Sequence, residues 1–214
     1  MKNKIIVISL IVLCFIVSII GIVVLDDVIP IHFGIDGKPD QYGSKYFLLA
    51  FPILNTVITT TMFIVAKYGK VTDNYRKYLV LTNIILSCIF ISMCGFLILY
   101  NENTIDISKI MMLIFGITFI ILGNVMPKIE INRTLGIKTK WSLYNETTWR
   151  KTHRFSGFAS VIVGFIVVIC GIIFSEKYNS IILFTLLLIF MILTVGASYI
   201  YYKKEVNNTN SNKD

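Results

Sequence analysis

Six long apolar runs constrain this chain more than any other feature of its sequence. They occupy residues 5–25, 46–66, 78–100, 110–125, 158–174 and 181–201. A helix needs about 20 mostly apolar residues to cross the hydrocarbon core of a bilayer, whereas a transmembrane barrel is built from shorter strands of alternating polarity. The sequence therefore predicts an all-α integral membrane protein whose six transmembrane helices form a bundle.

Charge is scarce in the chain as a whole and absent from these runs. Hydrophobic residues make up 56% of the sequence and charged residues 15%, against roughly 45–50% and about 25% in soluble domains. No Asp, Glu, Lys, Arg or His falls inside any of the six runs. Ionisable groups within a bilayer mark proton relays and ion paths, so the sequence argues against an ion-coupled transporter, a pump or an intramembrane protease.

The positions of Lys and Arg predict the orientation of the bundle. Of the 20 Lys and Arg residues, 16 lie in the N-terminal segment, the second and fourth loops and the C-terminal tail. Because cytoplasmic segments carry the excess of these residues, both termini and the long loop 126–157 should be cytoplasmic, and loop 26–45 extracytoplasmic. The net charge of +8 is then a consequence of topology in the lipid bilayer and predicts no direct binding of nucleic acid.

The first loop, residues 26–45, has the pattern of a small β-hairpin. Ile29, Ile31 and Phe33 recur at every second position, and Asp36-Gly37 is a dipeptide that favours the positive φ angles of tight hairpin turns. We expect the three apolar residues to pack on the helix ends. The partly aromatic flap that results is suited to docking a hydrophobic peptide.

The sequence predicts no metal site and no cofactor. Its four cysteines lie inside apolar runs and form no Cys-x-x-Cys pair, so we interpret them as small packing residues. His32 could bind a metal together with Asp36 or Asp40, but a lone histidine is weak evidence for such a site. A surface histidine within the hairpin is the favoured interpretation.

Polar side chains within the runs allow two interpretations. Asn83, Ser87 and Cys94 share one face of the third run, and small or polar residues at such spacing let membrane helices approach closely and form hydrogen bonds. Packing is the favoured role. The alternative is a path for a small solute or a lipid, with Asn55, Asn83, Asn124 and the threonines of the second run as its main polar groups.

The fourth loop, residues 126–157, is long, basic and rich in specific sequence. Asn145 can cap a helix that starts at Glu146 and continues into the fifth run. On that helix Trp149 and His153 share a face and should point toward the bundle, while Arg154 faces solvent or lipid phosphate. An enzyme that uses His153 lacks an obvious partner group and is the weakest hypothesis.

An interfacial role would also account for the composition of this loop. Trp141 and Trp149 fit the aromatic belt at a membrane surface, and the lysines and arginines around them fit anionic lipid headgroups. That role does not explain the detailed sequence of three segments, 123–128, 136–143 and 148–157.

These three segments resemble the SdpI family of bacterial membrane proteins. The family pattern is G-N-x-M-P-K, then G-I-R-T-P-W-T-L, then V-W-x-x-T-H-R-x-x-G, and this chain has lysine at 138 and 140 where the pattern has Arg and Pro. The segment 29–45 resembles the extracytoplasmic domain of unknown function that often precedes this module. The residues assigned to the cytoplasmic family motif are Asn124, Pro127, Lys128, Gly136, Lys138, Thr139, Trp141, Trp149, His153 and Arg154.

The resemblance implies a protein that is not an enzyme and that protects its cell against a secreted hydrophobic peptide toxin. It also implies, for some members, that a cytoplasmic helix-turn-helix autorepressor is held at the membrane. Residues 1–100 would form three helices with the hairpin, and residues 101–214 the SdpI-like module. The residues expected to contact the toxin are Pro30, His32, Phe33, Tyr42 and Lys45.

Overall fold

The computed structural model describes residues 2–34, 36–68, 72–100, 107–132 and 135–211. These residues form six α-helices and two strands. The helices are α1 (Lys2–Val24), α2 (Ala50–Tyr68), α3 (Asp73–Leu99), α4 (Ile107–Val125), α5 (Glu146–Ile173) and α6 (Glu176–Ser211), and the strands are β1 (Val28–Phe33) and β2 (Pro39–Ser44). Each of these helices contains a segment long and apolar enough to cross a membrane, as the six apolar runs predict.

The chain divides into two compact units, Met1–Ile107 and Ser108–Asp214. The first unit holds α1, the hairpin, α2 and α3, and the second holds α4 from Ser108 onward, α5 and α6. The predicted domain boundary, between residues 100 and 101, borders a segment outside the described residues, and it stays a prediction.

The β1–β2 hairpin packs on the core of the first unit through the residues that alternate in its sequence. Ile29 is only 3% exposed and lies in one cluster with Leu48 and Phe51, and Ile31 packs against the same cluster. Phe33 contacts the ring of Tyr100 edge-on, with 5.1 Å between the centroids. The period-two pattern therefore places its apolar side chains on the helices, as expected.

The turn of this hairpin differs from the two-residue turn that the Asp36-Gly37 dipeptide suggests. The strands pair as far as Phe33 and Pro39, and the Gly34 N–H donates to the Lys38 carbonyl at 2.8 Å, so the connection is longer. Gly37 has a φ of 78°, whereas no described residue other than glycine has a positive φ. The Asp36 carboxylate instead accepts the Lys38 N–H at 3.2 Å, which is how Asp stabilises a turn without entering the left-handed region.

Two helices of the second unit extend beyond the apolar runs. α5 begins at Glu146 because the Asn145 side chain accepts the Thr148 N–H at 2.8 Å, as the capping pattern predicts. α6 continues to Ser211, ten residues past the predicted end of the sixth run, which adds about 15 Å of helix. Hydrophobicity alone did not indicate this extension, because its sequence is polar.

The backbones of α4 and α5 approach each other closely at paired glycines. A Cβ atom on Gly157 would lie 2.6 Å from the Gly123 carbonyl oxygen, and one on Gly164 would lie 2.6 Å from that of Gly116. Glycine at such crossings lets membrane helices gain van der Waals contact. Beyond the crossing, Met112, Val163 and Leu183 join α4, α5 and α6 in the core of this unit.

The hairpin interface generates a prediction about stability. Ile29→Ala should lower the free energy of unfolding of the purified protein by about 2–5 kcal/mol, because it leaves a cavity against Leu48 and Phe51. Val28→Ala is the matched control, since Val28 is the adjacent strand residue and is 61% exposed. Equal thermal unfolding midpoints for the two variants in detergent would show that the hairpin does not pack on the helices.

Candidate functional site

Two stacked rings at the start of α5 form the centre of the family motif. The centroids of Trp149 and His153 are 3.8 Å apart, with an interplanar angle of 23°, and both side chains are fully buried. The Trp149 indole N–H donates to the Ile129 carbonyl at 2.7 Å. The prediction that this pair points into the protein is confirmed. Trp149 is not part of an aromatic belt, because its ring is enclosed and its only donor is used within the chain.

Hydrogen bonds fix the tautomer of His153 and its role. The Ile137 N–H donates to Nε2 at 3.0 Å, so Nε2 carries no proton and the ring proton lies on Nδ1. Nδ1 in turn lies 3.0 Å from the Trp149 carbonyl oxygen, to which it donates. The neutral ring therefore links the loop to α5 through both of its nitrogens. A general acid or base needs a nitrogen that can reach a substrate, so the arrangement does not favour catalysis by His153.

Gly136 allows the loop to pass directly over these rings. Its φ of +100° lies in the region that side chains rarely adopt, and a Cβ atom there would collide with His153 Nε2 and lie 3.3 Å from the Trp149 ring. Only glycine combines this backbone conformation with this close approach. The glycine of the family pattern is thus a packing requirement of the site.

A pair of hydroxyl groups holds the turn that follows. The Thr139 N–H donates to Ser142 Oγ at 3.0 Å, and the Ser142 N–H donates to Thr139 Oγ1 at 2.9 Å. Ser142 Oγ also donates to the Ile137 carbonyl at 2.7 Å. These bonds close the turn although Lys140 stands where the family pattern has proline, so the turn does not need a fixed φ at that position.

The C-terminal half of α6 binds the same loop, and these contacts were not anticipated from the sequence. Thr139 Oγ1 lies 2.9 Å from Ser198 Oγ, and the Trp141 ring contacts the Tyr199 ring edge-on at 5.0 Å. The contacts continue past the predicted end of the sixth run, where Tyr202 packs on the Tyr144 ring at 4.9 Å.

Glu205, on the last turns of α6, joins this extension to the start of α5. Its carboxylate accepts the Asn145 side-chain N–H and a hydrogen bond from Lys151, both at 3.5 Å. Residues 198, 202 and 205 follow the spacing of one helix face, and that spacing, which continues beyond the apolar run, is the signal by which the sequence could have revealed them.

The remaining motif residues lie on the surface of this unit. Asn124 is exposed and donates to the Ile120 carbonyl of its own helix at 2.8 Å, so its amide is used locally. Pro127 lies in a single 3-10 turn, Met126–Lys128, against Gly157. The exposed cations of the motif are Lys128, Lys138 and Arg154, with Lys140 beside them. The motif thus consists of a buried scaffold and an exposed basic surface.

In the other unit, the hairpin separates the five residues expected to contact a toxin. Phe33 faces inward and fixes β1 to α3. Lys45 is mostly buried, forms an ion pair with Asp27 at 3.0 Å and donates to the Leu25 carbonyl at 3.4 Å. Both residues therefore have structural contacts. Their side chains do not lie on one exposed surface with the other three.

Pro30 and Tyr42 belong to the outward face of the hairpin, and His32 lies beside them. Pro30 lies opposite Tyr42 in the register, and Tyr42 is 53% exposed. Val28 shares this side, since it precedes Pro30 by two residues, and is 61% exposed. We call Val28, Pro30 and Tyr42 the outward face. Val28 was missed in the sequence although the same alternation that selects Ile29 also assigns Val28 to the opposite side.

His32 lies at one end of the outward face. Its Nδ1 lies 2.5 Å from an Asp40 carboxylate oxygen across the strand pair, and both side chains are more than half exposed. Within the described residues, no three His, Cys, Asp or Glu side chains are grouped so that they could hold a metal ion. The chemistry that the hairpin offers is an apolar and aromatic surface beside an exposed hydrogen bond between His32 and Asp40.

The close approach at Gly136 generates a prediction. Gly136→Ala should lower the free energy of unfolding by about 1–3 kcal/mol, because it adds backbone strain and a collision with His153. The measurement is thermal unfolding in detergent. Gly196→Ala, on α6 of the same unit, is the control because nothing lies within 4 Å of its added Cβ. A Gly136→Ala protein as stable as this control would contradict the described packing.

Comparison with known proteins agrees with the motif. A family model described as the SdpI/YfhL protein family matches residues 128–201, and the Domain of unknown function (DUF1648) matches residues 9–56. The chain is 32% identical over 206 residues to the Immunity protein SdpI of Bacillus subtilis (strain 168), which covers 95% of this chain and 98% of that protein. No solved structure shows significant similarity to this chain. The chain belongs to the SdpI family, a family of multi-pass bacterial membrane proteins.

Proposed function

We propose that this protein is a membrane immunity protein that protects its cell against a secreted hydrophobic peptide toxin. The observation that carries the proposal is the similarity to the Immunity protein SdpI, which extends over 95% of this chain. The SdpI family is not an enzyme family, and both nitrogens of His153 are engaged within the chain. In this proposal the protein acts by binding, without a chemical step.

The orientation that suits this role has both termini and the basic loop in the cytoplasm and the hairpin outside. The segregation of Lys and Arg supports it. In this orientation the outward face meets the toxin before it enters the bilayer, and the exposed cations beside the buried motif meet anionic headgroups on the inner side. The holding of a cytoplasmic autorepressor by this basic surface stays a prediction from the resemblance.

The outward face is the toxin-binding surface in this proposal, with His32 at its end. Val28 and Tyr42 expose apolar and aromatic area, and Pro30 stiffens the strand between them. Rigid aromatic surface binds apolar peptides at low cost in side-chain entropy. Phe33 and Lys45 contribute indirectly, since their contacts hold the hairpin on the helices.

A path for a small solute or a lipid is less well supported than immunity. Asn124, one of the main polar groups assigned to such a path, is exposed and bonded to its own helix. No comparison with a known protein points to a transporter.

Survival of a toxin-sensitive host tests the proposal. Cells that express the protein should survive a secreted hydrophobic peptide toxin, and Tyr42→Ala should reduce the surviving fraction at least about tenfold, because truncation of an aromatic contact weakens peptide binding. Tyr68→Ala is the matched control, since Tyr68 is an exposed tyrosine at the far end of α2.

Surface expression of each variant is measured in parallel with survival. Unchanged killing of cells that express the wild-type protein, across a panel of candidate toxins, would contradict the immunity function. Full protection by Tyr42→Ala would contradict only the assignment of the outward face.

A further inference from the structure

Two asparagines are buried within the first unit, one on α2 and one on α3. Asn55 on α2 and Asn83 on α3 are each 1% exposed. α3 starts at Asp73, and a rise of about 1.5 Å per residue places Asn83 about 15 Å along it. Both carboxamides are therefore enclosed by the protein itself.

Neighbouring polar groups in the same core have partners within the chain. Ser18 donates to the Leu48 carbonyl at 3.1 Å and lies 3.3 Å from the Cys94 thiol. Ser87 donates to Asn55 Oδ1 at 3.1 Å. Helix packing therefore accounts for Ser87 and Cys94, two of the three polar positions that share a face of the third run.

Among the described residues of this unit, the amide of Asn83, the Nδ2 of Asn55 and the Tyr75 hydroxyl are the exceptions. Neither Oδ1 nor Nδ2 of Asn83 has a hydrogen-bond partner among the described residues, and the same holds for Nδ2 of Asn55. Asn55 Oδ1 is already used, since Ser87 and Thr59 both donate to it. Buried amide groups without partners are strongly disfavoured, so packing within this unit does not explain why asparagine occupies position 83.

The unused groups define the ligand that would complement them. They comprise four N–H bonds, two on each asparagine, and one carbonyl oxygen. A ligand that complements these groups must therefore offer a hydrogen-bond acceptor and, for Asn83 Oδ1, also a donor. No Asp, Glu, Lys, Arg or His lies on α2 or α3 between residues 50 and 66 or between 78 and 99, so a charged ligand would stay uncompensated. An uncharged amide, which has one carbonyl and one N–H, satisfies all of these conditions.

We propose that Asn55 and Asn83 form a binding site for a main-chain peptide group of an apolar peptide that has entered the bilayer. The inference rests on the proposed immunity function, because it names the part of the toxin that this site binds. The ends of a membrane-inserted helix carry N–H and C=O groups that hydrocarbon does not satisfy. A peptide group delivered to the two asparagines would find partners there for its N–H and its C=O.

Side-chain amide signals test the site directly, without a toxin. The full chain is labelled with ¹⁵N-asparagine, reconstituted in nanodiscs and titrated with N-methylacetamide, which is a single peptide group. The Asn55 and Asn83 signals should shift and saturate. N,N-dimethylacetamide, which lacks the N–H, should need a roughly tenfold higher concentration, and acetate should cause no saturable shift. The Asn124 signal is the internal reference, since its amide is bonded to Ile120.

Variants test whether this site contributes to protection against the toxin. Asn83→Leu should abolish the saturable shift of the Asn55 signal and lower the surviving fraction in the toxin assay at least about tenfold. Ser92→Leu, an exposed position on the same helix, should change neither. Because the titration of the wild-type protein needs no variant, it decides the question even if Asn83→Leu does not fold.

Three results would overturn the proposal. The first is the absence of a saturable shift with N-methylacetamide. The second is transfer of magnetisation from water protons to the side-chain N–H groups of both asparagines at saturating N-methylacetamide, because water would then still occupy the site. The third is full protection by Asn83→Leu, which would remove the toxin from this site and leave immunity intact. A wild-type protein that fails to protect against any toxin contradicts the proposed function instead, whatever the titration shows.

Discussion

The inability of hydrocarbon to solvate charge governs the whole of this protein. Every Asp, Glu, Lys, Arg and His falls outside the six apolar runs, so recognition has to use helix ends, loops and neutral polar groups. Two regions of the protein supply surfaces of this kind. A hairpin presents an apolar and aromatic surface at the end of the first unit, and a basic loop folds around two buried rings in the second.

Sequence patterns within single elements were sufficient to predict much of the fold. The six spans follow from hydrophobicity, the start of α5 from the capping side chain of Asn145, and the packing of Ile29 and Phe33 from their alternation. In each case the signal lies within one element, so neighbouring residues alone decide the outcome. The burial of Trp149 and His153 follows in the same way from their spacing on one helix face.

Sequence patterns did not predict the contacts between segments that lie far apart in the chain. Thr139 bonds to Ser198, which is 59 residues further along the chain. The polar segment that continues α6 to Ser211 is held by Tyr202 and Glu205, which contact Tyr144, Asn145 and Lys151. Trp149 has the composition of a belt residue, yet a carbonyl 20 residues away accepts its N–H. The five residues assigned to toxin binding were grouped by their loop, whereas strand pairing divides them between an inward and an outward side. Such groupings depend on tertiary structure that no single segment encodes.

The central claim is that the hairpin faces the outside of the cell and the basic loop faces the cytoplasm. Its most direct test is labelling by a membrane-impermeant maleimide in intact cells, with Asp36→Cys and Lys140→Cys made separately in a background without the native cysteines at 14, 88, 94 and 170. The account predicts that position 36 reacts in intact cells and that position 140 reacts only after permeabilisation. Reaction at 140 with protection of 36 would contradict it, because the toxin-facing and cytoplasmic surfaces would then be exchanged.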